Sequence, residues 1–324
     1  MKLAQDANFR SVLLSAVWKR GARAEADLPP LRRAVKAAVA AAVQPMLTVY
    51  QFSSSTPLSD VDRSAFAAYA AAIARALPDV HVVFVGNEPN LNLFWQPQFD
   101  DSGGDAAAKS YEQLLATTYD ALKQVDTSLT VVGGNLSPRG EDDPSSSRPT
   151  HSPTQFIRDL GAAYRSSGRD RPLMDEFSIH VYGESSAIPP TLAHPKTTSI
   201  GIADYDKLEG LLREAFGGTA QPVDRLPIDY GEYGVETTIP PSEQDAYSGK
   251  EVVRTVDEAT QARYYTQAIS LAACQKNVRM LILFHVLDEQ PLQGLQSGLY
   301  YADGKPKASL DQVRGDIEHP SCRS

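Results

Sequence analysis

Residues 80–90 read Val80-His81-Val82-Val83-Phe84-Val85-Gly86-Asn87-Glu88-Pro89-Asn90, an apolar run that halts on a glycine, an amide and a carboxylate. The run is too short for a helix, and β-branched valines dominate it. That pattern predicts a strand buried on both faces, as in parallel sheets covered by helices. Pro89 cannot extend the strand and helps to fix the turn. Glu88 is therefore expected at the strand's C-terminal end.

The same unit repeats outward in both directions. Strands are expected at Phe9–Val17, Pro45–Phe52, Leu129–Gly134, Asp175–Tyr182, Leu226–Gly234 and Val278–Leu287. Helices are expected at Leu31–Val43, Asp60–Ala76 (with Asp60 as N-cap), Ala106–Val125, Pro153–Ser166, Tyr205–Phe216, Asp257–Gln275 and Lys307–Asp316. Strands alternating with helices imply a parallel sheet with helices outside it. The fold expected is an α/β (β/α)8 TIM-type barrel forming one domain over residues 1–324. An open doubly wound sheet would place a glycine-rich phosphate loop after its first strand. Trp18-Lys19-Arg20-Gly21 is no such loop.

Only seven strands can be read, because Met1–Asn8 resembles the tail of a helix feeding the Phe9 strand. The first strand and most of the first helix of an eightfold barrel are thus expected to be missing. A start assigned too late or a trimmed chain would explain this; so would a barrel that is open or closed by another segment. Long loops follow strands at Gly140–Ser152, Glu184–Ala203, Pro240–Arg254 and Gln290–Ser297. In a barrel the loops after strands build the active-site face. No internal repeat or interdomain linker interrupts the pattern.

The net charge is −9, and no Lys/Arg block breaks the acidic balance, so nucleic acid is not expected as a partner. The Ala-rich run Val35–Val43 is too short to span a bilayer and begins beside Arg32, Arg33 and Lys36, so no membrane partner is expected either. Polar Gln5 and Asp6 replace the hydrophobic segment of a secretory signal. Cys274 and Cys322 make no metal or redox motif. They are either unrelated thiols or one disulfide tying down the C-terminal tail, which would suit an exported protein.

A second strand ends in a carboxylate, at Asp229-Tyr230-Gly231-Glu232-Tyr233-Gly234. Two glutamates at the ends of separate barrel strands can face each other across the mouth. Cleaving a glycosidic bond with retention needs such a pair, about 5–5.5 Å apart. The Asn-Glu-Pro at Asn87-Glu88-Pro89 and the Glu-Tyr-Gly at Glu232-Tyr233-Gly234 resemble the paired catalytic motifs of glycoside hydrolase clan A. Counting the missing strand first puts Glu88 on strand four and Glu232 on strand seven, the clan's indices for acid/base and nucleophile. Ser178-Ile179-His180-Val181-Tyr182 and the segment from Ser297 to Lys307 extend the likeness. Departures stand where many clan members carry an Arg on strand two, a His on strand three and a Trp on strand eight. Here those places read Val12-Leu13-Leu14-Ser15, Tyr50 and Phe284-His285.

The resemblance implies a retaining glycoside hydrolase with Glu88 as acid/base and Glu232 as nucleophile. It implies that Asn87 bonds the hydroxyl beside the anomeric carbon, that Tyr182 orients Glu232, and that His180 lines the same wall. The bland alternatives are a turn-forming Asn87 and an interior histidine satisfied by its neighbours. Trp18, Tyr50 and Trp95 are the aromatics singled out as sugar platforms, although such rings are more often core. An oligosaccharide, polysaccharide or simple glycoside is the expected partner, with no cofactor or metal and a monomeric chain. A transglycosylase would use the same residues. A metal-dependent barrel hydrolase would need clustered ligands, and no two of the six histidines have ligand spacing.

Overall fold

The computed structural model describes residues 1–322. After a short helix α1 (Lys2–Asp6), strands and helices alternate as β1 (Ser11–Val17), α2 (Ala24–Ala40), β2 (Gln44–Tyr50), α3 (Asp60–Ala76) and β3 (Val82–Val85). The chain continues through α4 (Ala106–Val125), β4 (Thr130–Leu136), α5 (Pro153–Ser167), β5 (Glu176–His180) and α6 (Tyr205–Phe216). It ends with β6 (Ile228–Tyr233), α7 (Glu258–Cys274), β7 (Val278–Leu283) and α8 (Leu310–Glu318). The strands form one parallel sheet in the order β1 to β7, each beside its sequence neighbour. This is the (β/α)8 TIM-type barrel with one strand missing from the ring.

Local chemistry explains where the helices begin. Ser59, rather than Asp60, caps α3: its hydroxyl accepts from the Asp62 amide, and Asp60 and Asp62 then complement the helix dipole. Asp105 caps α4 in the same way. Helix α2 starts seven residues before the expected Leu31 and carries Pro29 and Pro30 inside it, despite their missing N–H donors. Buried Ala24 and Leu28 anchor that first turn, and Asp27 accepts a hydrogen bond from Tyr69 on α3.

Alternating strand residues face the helices or the barrel interior. Val83 and Val85 join the large core shared with the helices. Val82 and Phe84 join Met46 and Val132 in a second cluster made only of strand residues, with Leu13, Met280 and Ile282 against it. This inner layer is filled on the β2–β4 side alone. Among the described residues no ladder joins β7 to β1, and a cavity of about 1030 Å³ runs down that gap from the mouth to Phe9, Ile317 and Pro320. Most residues of β1 and β7 are only partly buried, whereas all of β3 is buried.

A covalent link and a buried ion pair stabilise the periphery. Cys274 at the end of α7 and Cys322 beyond α8 form a disulfide, with Cα atoms 4.7 Å apart. In the loops after β7, the fully buried Lys307–Asp288 ion pair is completed by Thr237, Tyr247 and the Gly298 amide. The neighbouring groups supply the hydrogen bonds without which a buried pair would be costly.

Candidate active site

The end of β3 is a tightly specified turn. Gly86 has φ +84° and packs on the Tyr111 ring, while the Tyr111 hydroxyl donates to Val85 O. Glu88 itself has φ +38°, a region L residues rarely enter. Asn135, at the end of β4, holds this conformation from both sides. Its amide donates to Gly86 O at 2.7 Å, and its carbonyl oxygen accepts from the Glu88 amide at 2.8 Å. Backbone strain kept in place by neighbours is common where a side chain must be aimed.

His180, the last residue of β5, stands between the two glutamates. Its Nδ1 lies 2.9 Å from Glu88 Oε1 and 3.4 Å from Glu232 Oε2. Those two oxygens can therefore be no farther apart than the sum of the contacts, 6.3 Å. The Tyr182 hydroxyl donates to the same Glu232 oxygen at 3.0 Å. Room for this arrangement comes from Gly231. A Cβ there would lie 2.5 Å from Ser178 Oγ and 2.9 Å from Asn135 Oδ1.

Electrostatics follow from burial. Glu232 is held above the ordinary carboxyl range chiefly by burial, which His180 opposes, Glu88 reinforces and Tyr182 opposes. Burial draws the His180 imidazole down, but Glu232 and Glu88 more than offset this and leave it raised. Burial, then the Glu232 charge, raises Tyr182. Tyr50 is raised by the same two causes, so its hydroxyl feels the same carboxylate.

Asn87, Glu88, His180, Glu232 and Tyr50 line one cavity, with Asn135, Phe52, Phe94, Phe284 and His285. Trp18 and Trp95 do not join it. Trp18 is 1% exposed and packs edge-on against Phe66 of α3. Trp95 is fully buried against Tyr111, with its indole N–H on Ser110 Oγ. The core absorbed both rings: Trp18 directly follows β1, and Trp95 lies in the loop between β3 and α4. Among the described residues no group of three or more His, Cys, Asp or Glu is arranged to hold a metal ion.

No protein-family model matches the sequence. No curated protein matches it either. Solved structures do. A β-glucuronidase 2 from Bacteroides uniformis, covalently bound to cyclophellitol-6-carboxylate aziridine, superimposes with a TM-score of 0.60 at 11% identity, covering 98% of this chain and 32% of that one. A GH5-4 broad specificity endoglucanase from Clostridium longisporum gives 0.61 at 11% identity, covering 98% and 85%. A GH39 β-xylosidase from Caulobacter crescentus gives 0.53 at 19% identity, covering 89% and 57%. The chain spans about a third of the length of the β-glucuronidases it matches. The likeness is one of fold, and these three neighbours are glycoside hydrolases.

Proposed function

We propose that this chain is a retaining glycoside hydrolase that cleaves β-linked O-glycosidic bonds, with Glu88 as acid/base and Glu232 as nucleophile. The observation that carries the reading is His180 bridging the two carboxyls. One ring nitrogen touching both carboxyls keeps their near oxygens within 6.3 Å of each other, which favours the close spacing of a retaining pair, about 5–5.5 Å, over the wider inverting one. Protonated Glu88 delivers its proton to the leaving oxygen while Glu232 attacks the anomeric carbon. The covalent glycosyl-enzyme then yields to a water from which Glu88 takes a proton. Tyr182 and charged His180 favour the ionised Glu232 that this needs. Asn87 bonds the hydroxyl beside the anomeric carbon.

The substrate is a neutral glycoside, oligosaccharide or polysaccharide. Among the described residues only Arg10 and Arg279 supply guanidinium groups to the cavity, and both stand at the strands' N-terminal ends, away from the glutamates. That favours an uncharged sugar, as the endoglucanase and xylosidase names suggest, over a uronide. The disulfide supports export, since such bonds are rare in the cytosol. A panel of aryl glycosides, with NMR of the first-formed anomer, tests the assignment. Retained configuration and a loss of about a thousandfold or more in Glu232→Gln are expected. An inverted product, or an unaffected variant, would overturn it.

A further inference from the structure

Phe52 and Phe94 are stacked, with centroids 5.5 Å apart and planes inclined by 21°. Tyr50 meets both edge-on, at 5.8 Å and 71° and at 6.0 Å and 74°. The three rings make a corner rather than a plug, and Phe52 remains 42% exposed. Two loops are tied together to build it. The Ser53 amide donates to Leu93 O, and fully buried Gln51 donates its side-chain amide to Phe94 O. Rings held this firmly and left open to a cavity are preorganised for a ligand.

The corner's place in the site says which part of a substrate meets it. Phe94 lies six residues beyond Glu88 on the same loop, while Glu232 comes from β6 on another part of the ring. In a retaining displacement the acid/base approaches from the leaving group, and the nucleophile attacks the opposite face. A surface on the Glu88 side touches what departs. The Tyr50 hydroxyl, which feels the Glu232 charge, marks the border with the sugar being cleaved. A second sugar would need several partners for its hydroxyls, and phenylalanine rings offer none.

Resting on the glycosidase reading, we infer that Tyr50, Phe52 and Phe94 form a leaving-group site for an uncharged aglycone with a flat aromatic face. An aryl ring in this corner stacks on one phenylalanine and meets Tyr50 edge-to-face, the two favoured aromatic geometries.

The test compares a 4-nitrophenyl β-glycoside with the glycosyl fluoride of the same sugar, which carries no aglycone. In Phe52→Ala and Phe94→Ala the ratio of the two kcat/KM values should fall about tenfold, and in Phe52→Leu by less. An unchanged ratio overturns the inference, whether both rates fall together or neither falls. Should the wild type cleave no glycoside, the parent reading fails by itself. Calorimetry then compares phenyl with methyl 1-thio-β-glucoside. Binding about tenfold tighter for the phenyl compound, lost in Phe52→Ala, upholds the corner as an aryl site. Equal binding of the two, or a preference that survives in Phe52→Ala, rejects it.

Discussion

The Tyr182 hydroxyl donates to Glu232 Oε2 at 3.0 Å, so β6 aims the carboxylate while a residue two beyond β5 holds it. Hydrogen bonds to charged groups contribute about 1.5–3 kcal/mol. Tyr182→Phe is expected to lower kcat about tenfold to a hundredfold. It should also move the acidic limb of kcat/KM to higher pH, because the lost hydroxyl lowers the Glu232 pKa. A profile of unchanged shape would place Tyr182 in a packing role only.

His180 should move that limb farther. Its charge is the largest influence lowering Glu232, ahead of the Tyr182 hydrogen bond. In His180→Asn only burial and Glu88, both raising, face the tyrosine. Ionised Glu232 then forms at higher pH, and the acidic limb rises by more than in Tyr182→Phe. A limb that stays put or falls contradicts the pairing of His180 with Glu232.

Much of this was legible in the chain because period and position carry it. The boundaries of α3, α4 and α6 follow from apolar spacing between turn residues. That Glu88 and Glu232 line one cavity could be anticipated because each stands at the C-terminal end of a strand near a glycine. What could not be read depends on contacts between distant segments. Asn135 clamps the Glu88 turn, and its only sequence signal is Gly133-Gly134 before it at a strand end. Gly231 makes room for Ser178 and Asn135, which no local pattern reveals. Trp18 has a strand-end position like Tyr50 and Trp95 lies in a loop after a strand, yet burial separates both from the cavity that Tyr50 lines.

The barrel floor carries an acidic pair with a pH signature. Asp229 on β6 is fully buried, and burial, then the charge of Glu176 on β5, holds it well above the carboxyl range. Arg279 donates to Glu176. A carboxyl whose pKa is raised by folding binds more protons when folded, so its contribution falls as pH climbs from about 4 towards the folded value. The slope reaches about 1.4 kcal/mol per pH unit for one proton. Asp229→Asn should therefore flatten Tm against pH, gaining about 2 °C per pH unit across that window relative to the wild type. A parallel pair of curves would show that Asp229 titrates normally.

Reducing the disulfide should destabilise the chain without reaching the site. Cys274 and Cys322 close a separation of 48 residues, for which chain entropy predicts about 4 kcal/mol. The Cys274→Ser, Cys322→Ser variant should unfold at lower denaturant, with kcat changed less than twofold. Equal midpoints would mean that the tail's hydrogen bonds, such as Ser270 to Ser321 O, already supply the restraint.

The open edge makes a residue-by-residue prediction for hydrogen exchange. In a parallel ladder, successive residues direct their backbone groups alternately to the two sides. Gln44 donates to Arg10 O and Trp18 donates to Tyr50 O, so the even-numbered residues of β1 face β2. The amides of Leu13 and Ser15 then point into the gap beside β7, where no ladder among the described residues receives them. Leu14 and Ala16 amides should exchange slowly, and those of Leu13 and Ser15 orders of magnitude faster, since unpaired groups need no opening of the sheet. Val83 and Phe84 of β3 pair with strands on both sides and should resemble Leu14. An unpaired row is also a template for association. Protection of Leu13 and Ser15 that grows with protein concentration would therefore show the edge pairing with another copy. Full protection of both at every concentration would show that the gap closes within one chain.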